Sequence, residues 1–132
     1  MDNSILTCKY INKILAADDT LMQMIPMKNF NALRFEADVV RYPYVIYGRS
    51  SLTPIYSKED TPAYSTVQIT YNVVSDKYLE AIEIANALRH ALEKKGYKND
   101  DIFIDRINLL SVSESTNEEA YIQTLVFETD VC

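Results

Sequence analysis

The sequence predicts an α+β fold: a four-stranded, mainly antiparallel sheet with two helices packed on one face, in the order αββαββ. Three observations carry this expectation. Residues 64–75 alternate apolar and polar, the pattern of a strand with one buried face. Residues 75–96 repeat their apolar positions at helical spacing. Two further strand-like runs, 102–113 and 120–129, flank the polar turn Thr116, Asn117, Glu118 and Glu119, as an antiparallel hairpin would.

Taken in order, residues 4–17 read as the first helix, with Ser4 as N-cap. Leu6, Tyr10, Ile11, Ile14 and Leu15 form its apolar face, and Lys9, Asn12 and Lys13 its polar one. Asp18, Asp19 and Thr20 interrupt it. Residues 21–25 make a further short turn that Pro26 ends. Residues 26–43 have no clean period and read as an irregular connector, with an extended part near 37–41. Pro43 biases Tyr42 toward extended geometry. The β-branched and aromatic run 44–49 is the first strand.

The stretch 49–65 follows, with two prolines, two tyrosines and a Lys-Glu-Asp cluster. It is too long and too charged for a tight hairpin turn. It reads as a projecting loop at 51–63, which Pro54 and Pro62 stiffen and keep out of the sheet. In the next strand Val67, Ile69, Tyr71 and Val73 share one face, and Thr66, Gln68, Thr70 and Asn72 the other. In the long helix Ser75 or Asp76 is the expected cap, Tyr78, Ala81, Ala85, Leu88 and Leu92 the core stripe, and Gly96 the stop. The run 102–113 slips phase across Asp105 and Arg106, which a bulge or a new strand start near Asp105 would explain. The last strand is apolar on both faces: Tyr121, Leu125 and Phe127 on one, Ile122 and Val126 on the other. Two helices cover one face of such a sheet, so the second apolar face asks for cover from the connector or from another subunit. Tyr121, Ile122 and Val126 are therefore the candidate subunit-interface residues.

At 132 residues the chain fits a single domain over 1–132, and its 48% hydrophobic content suits a packed core. The net charge of −6 argues against phosphate-backbone binding. No apolar run approaches the roughly 18 residues of a membrane span, and residues 1–10 do not read as a signal peptide. Cys8 and Cys132, the only cysteines, have neither disulfide-framework nor metal-ligand spacing and read as reduced thiols.

Chemistry is sparse. His90, the single histidine, falls on the polar face of the long helix near Glu83, Asn86, Glu93 and Lys94. A general base or ligand there is one reading, and a solvated helix histidine the other. With only Gly48 and Gly96, no phosphate-cradling loop exists. No catalytic, cofactor or metal residue is expected, and the chain is not read as an enzyme. Tyrosine stands out, with ten against four Phe and no Trp. Tyrosine is enriched where an apolar body meets water or a partner.

The segments YPYVIYGR (42–49), VQITYNVVS (67–75), AIEIANALRHALE (81–93) and EEAYIQTLVFE (118–128), in that order after DDTLMQMIP (18–26), resemble the tail-completion, or tail-terminator, proteins of long-tailed bacteriophages. The resemblance spans roughly residues 5–128. It implies a non-catalytic, cofactor-free structural protein of the virion, made in the host bacterial cytoplasm. It further implies a hexameric ring that caps the last ring of the tail tube protein, stops polymerisation and meets the head-tail connector protein. DNA would pass through the ring without specific binding. The loop at 51–63 would reach a neighbouring tail protein through the candidate contact residues Thr53, Pro54, Tyr56, Lys58, Glu59 and Asp60, with Tyr56 as apolar anchor and Lys58, Glu59 and Asp60 as polar rim. Two other readings are a different head-to-tail connector ring or tail tube subunit, and a small soluble enzyme or ligand-binding domain using His90.

Overall fold

The computed structural model describes residues 3–35, 39–59 and 62–132. The helices are α1 (Thr7–Ala16), α2 (Asp19–Met24) and α3 (Tyr78–Leu92). The strands are β1 (Phe30–Ala32), β2 (Tyr44–Tyr56), β3 (Pro62–Ser75), β4 (Tyr97–Lys98), β5 (Phe103–Ile104), β6 (Asn108–Thr116) and β7 (Tyr121–Val131). They form one curled sheet in the order β1-β2-β3-β7-β5-β4, with β6 also paired to β7. Among the described strands, only the β1–β2 pairing is parallel.

The class expected from the sequence is thereby corrected. Among the described residues the sheet is mixed and seven-stranded rather than four-stranded, and three α-helices accompany it rather than two. The added elements are short: β1 has three residues, β4 and β5 two each, and α2 six. A period cannot declare itself over so few positions. Backbone pairing and burial create these elements instead.

β3 lies between β2 and β7 and is paired to both along most of its length. Its alternation is realised: Val67, Ile69, Tyr71 and Val73 are buried, while Thr66, Gln68, Thr70 and Asn72 are half-buried on the other face. On the buried face they meet Leu125 and Phe127 of β7, Ile11 and Leu15 of α1, Leu21 of α2, and Ile84, Leu88 and Leu92 of α3. Burying each such side chain contributes about 1.5–3 kcal/mol relative to exposure.

Local chemistry sets the helix ends. Ser4 does not cap α1; it is buried in a short 3₁₀ turn (Ser4–Leu6), its hydroxyl 3.3 Å from that of Ser65. The Asp18 carboxylate caps α2 by accepting the Leu21 amide at 2.9 Å. Before α3, the Ser75 hydroxyl accepts the Lys77 amide at 3.1 Å and donates to Glu80 Oε1 at 2.7 Å. The chain leaves α3 through Lys94, whose φ of 66° is left-handed, and not through Gly96. The Lys94 amide donates to the Ile107 carbonyl at 2.7 Å, and the Ile107 amide returns to the Lys95 carbonyl at 2.8 Å. Gly96 serves close approach: a Cβ there would lie 2.9 Å from the Ile104 carbonyl oxygen.

The connector 26–43 contains the 3₁₀ turn Met27–Asn29 and then β1, which runs parallel to β2. The extension expected near 37–41 lies partly outside the described residues. The loop expected at 51–63 is mostly strand. β2 continues to Tyr56, β3 begins at Pro62, and Pro54 pairs with Ser65. Proline did not keep this stretch out of the sheet, and the pairing explains why. The Tyr47 carbonyl accepts the Leu33 amide, so it faces β1. Alternation along β2, carried through the register shift at Ser50, turns the Pro54 nitrogen to that same outer edge. There no neighbouring strand asks for a donor, and an edge strand tolerates proline.

Candidate assembly surface

β7 ends at Val131, opposite Ser65. The β2–β3 ribbon continues beyond that row as a two-stranded arm. Ile55 and Tyr64 face each other across it, and both are exposed; Tyr56 is 58% exposed. Thr53, Pro54, Lys58 and Glu59 are exposed as well, and the Glu59 amide donates to the Ser57 hydroxyl at 3.3 Å. Asp60, expected beside them, lies outside the described residues. A two-stranded ribbon is marginal by itself, and large apolar side chains on it gain from a partner surface.

A second open feature is β6. Among the described strands it pairs only with β7, leaving its outer edge unpaired. Leu110 and Val112 on it are about half exposed. Where β6 faces α3, Glu114 accepts Tyr78 Oη at 2.9 Å and Gln123 Nε2 at 2.8 Å. The Gln123 and Tyr78 bonds hold the Glu114 carboxyl below the usual carboxylate range, and the bond to Glu114 pushes the Tyr78 phenol up.

The three expected interface residues do not share a face. Ile122 and Val126 are half-buried on the side away from the helices, paired across from Val74 and Thr70. Tyr121 is on the opposite side, its ring 5.4 Å from that of Tyr78. The face carrying Ile122 and Val126 also holds Val74 and, on β2, Ile46; its other positions where β3 pairs with β7 are polar. Thr66 donates to Asp130 at 2.8 Å, Gln68 to Glu128 at 3.0 Å, and Thr124 to Asn72 at 2.7 Å. These side-chain pairs satisfy one another.

His90 is exposed and lines a hollow of about 270 Å³ with Asp18, Thr20, Glu83 and Asn86. Cys8 is not among the residues lining it; burial pushes the Cys8 thiol up. Among the described residues, no three His, Cys, Asp or Glu converge as a metal ion requires. Sequence reasoning missed one surface altogether, a hollow of about 550 Å³ beside β4 and β5 lined by Lys94, Tyr97, Lys98, Phe103, Asp105 and Arg106. Its only signal in the sequence was the phase slip at Asp105 and Arg106. The slip marks a break between β5 and β6, while the bulge itself falls at Leu110.

The family described as tail completion protein gp17 matches residues 9–129. A chain of the virion of a native gene transfer agent particle superposes with a TM-score of 0.82 over 98% of each chain, at 17% sequence identity, so the fold is shared. None of the curated proteins matches the chain.

Proposed function

Since the chain belongs to the tail completion protein gp17 family, we propose that it assembles as a closed, hexameric ring at the head-proximal end of a phage tail. It is a structural protein of the tail, hence of the virion, and not an enzyme. In the proposed reading the ring ends growth of the tail tube and joins it to the head-side connector, and DNA passes through without specific binding.

The observation that carries this reading is the β2–β3 arm. It runs past the end of β7 and offers Ile55, Tyr56 and Tyr64 where the chain itself supplies no strand beside them among the described residues. An exposed aromatic anchor on a short ribbon fits a contact to a neighbouring tail protein. The net charge of −6 further supports passage of DNA without adhesion.

The test replaces residues 54–64 with an Asn-Gly turn and examines tails by electron microscopy. The shortened protein is expected to fold, because the replaced stretch lies at the outer end of the ribbon, and the tails are expected to be overlong or headless. Normal tails joined to heads would overturn the reading, and long stacks of the chain itself would favour a tube subunit.

A further inference from the structure

The hollow beside β4 and β5 has the anatomy of a protein contact. Phe103, 42% exposed, lines it with Lys94, Lys98 and Arg106, while Tyr97 turns its ring inward, 5.5 Å from that of Tyr10. The Lys98 ammonium lies 6.0 Å from the centre of the Phe103 ring. An aromatic centre with a charged rim is how residues of a recognition surface are arranged. The concentration of cations is unexpected in a chain of net charge −6.

β7 runs from this corner to an acidic one. It meets β5 at Val131, and at its other end stands the β6–β7 turn. The 11 residues of β7 separate the two by about 36 Å at roughly 3.3 Å per residue. The turn is closed by hydrogen bonds: Asn117 Oδ1 accepts the amides of Glu119 at 2.9 Å and Ala120 at 2.8 Å, and the Asn117 amide donates to the Ala120 carbonyl at 3.1 Å. Glu118 and Glu119 are thereby held outward and exposed.

We propose that the cationic hollow receives the acidic β6–β7 turn of a second copy of this chain. The contact is heterologous, different surfaces of each copy meeting, which is what a closed ring requires. Opposite charges preorganised on the two surfaces set register and partner choice. A polyanionic nucleic acid would run past the three cations onto Asp100 and Asp101, exposed in the adjoining β4–β5 turn, whereas two carboxylates on a short turn need only the cations. This inference rests on the ring reading above and names its subunit contact.

A charge swap tests it. One variant carries Lys98→Glu with Arg106→Glu, the other Glu118→Lys with Glu119→Lys; circular dichroism checks that each folds. Self-association is read by native mass spectrometry at high protein concentration and, in infected cells, by incorporation into particles. Each variant alone is expected to lose association at least tenfold, since like charges then meet. The two mixed are expected to regain it in alternating, even-numbered assemblies. Association of either variant alone at the wild-type level, a mixture that stays apart, or a wild-type chain monomeric in both settings overturns the proposal. So does a Lys98→Glu, Arg106→Glu protein that loses DNA retention while still self-associating. If the swap behaves as expected but the chain is absent from tails, the tail-end reading fails and the contact stands.

Discussion

The Tyr78 hydroxyl lies within hydrogen-bond distance of both carboxylate oxygens of Glu114, at 2.9 and 3.2 Å, and ties the start of α3 to the outermost long strand. Gln123 adds a third bond to the same carboxylate at 2.8 Å. All three bonds favour the ionised form, so the folded carboxyl is more acidic than the unfolded one. Its contribution to stability is present above the ordinary value of 4.5 and is lost as pH falls through the lowered folded value. Glu114→Gln is expected to lower the urea midpoint at pH 7, and the gap to wild type should close as the pH is taken below about 4. Urea titrations across that range check this; a gap independent of pH would refute it.

Tyr71 is buried against Phe127, the ring centres 5.9 Å apart, and its hydroxyl has no hydrogen-bond partner among the described residues. Burial pushes its phenol well above the ordinary value of 10. A buried hydroxyl without a partner costs about 1–3 kcal/mol. Tyr71→Phe is therefore expected to hold or raise stability, by up to about 2 kcal/mol. The raised value also means that the contribution of the Tyr71 phenol to wild-type stability is full below pH 10 and falls above it, as the unfolded tyrosine ionises first. The variant should lack that part of the alkaline loss, which thermal melts from pH 8 to 11 would reveal.

The two glycines should answer differently to the same substitution. A Cβ on Gly96 would meet backbone, the Ile104 carbonyl oxygen at 2.9 Å. Backbone yields poorly, and Gly96→Ala is expected to cost about 1–3 kcal/mol. A Cβ on Gly48 would come within 2.5 Å of Leu33 Cδ2, the far end of an exposed side chain that can rotate away. Gly48→Ala should cost less than about 1 kcal/mol. Chemical denaturation of both variants decides the order.

Ile55→Ser and Tyr56→Ser change exposed positions on the arm. Melting temperatures are expected within the range of ordinary surface changes, about 0.5 kcal/mol, while tails formed with the double variant should be abnormal in length or unjoined to heads. A double variant that melts as wild type and supports normal tails would remove the arm from the contact.

The thiols should separate kinetically. Cys132 is exposed, whereas Cys8 is half-buried and its thiol is pushed up by burial, leaving less thiolate. At pH 8 a thiol reagent should label one equivalent rapidly and the second slowly, and denaturant should merge the two phases.

Elements long enough to show a repeat were legible in the chain. β3 declared itself by alternation, α3 by its alanine and leucine stripe, and β6–β7 by a polar turn between apolar runs. Their order was enough to identify the family. What could not be read depends on partners distant in sequence. β1, β4 and β5 exist because β2 and β7 offer them a backbone ladder, and no period can form over two or three residues. Pro54 reads as a strand breaker until the edge it occupies is known, since a missing donor matters only where a neighbouring strand would use it. The opposite faces of Tyr121 and Ile122 were legible from alternation, but the ring contact that sets Tyr121 against Tyr78 of α3 was not. The cations of the β4–β5 hollow lie near the end of α3, on β4 and after β5, and it is the Lys94–Ile107 bonding and the close pass of Gly96 that bring them around Phe103. Periodicity is local and survives in the sequence; proximity is created by pairing and closure, and only the folded chain contains it.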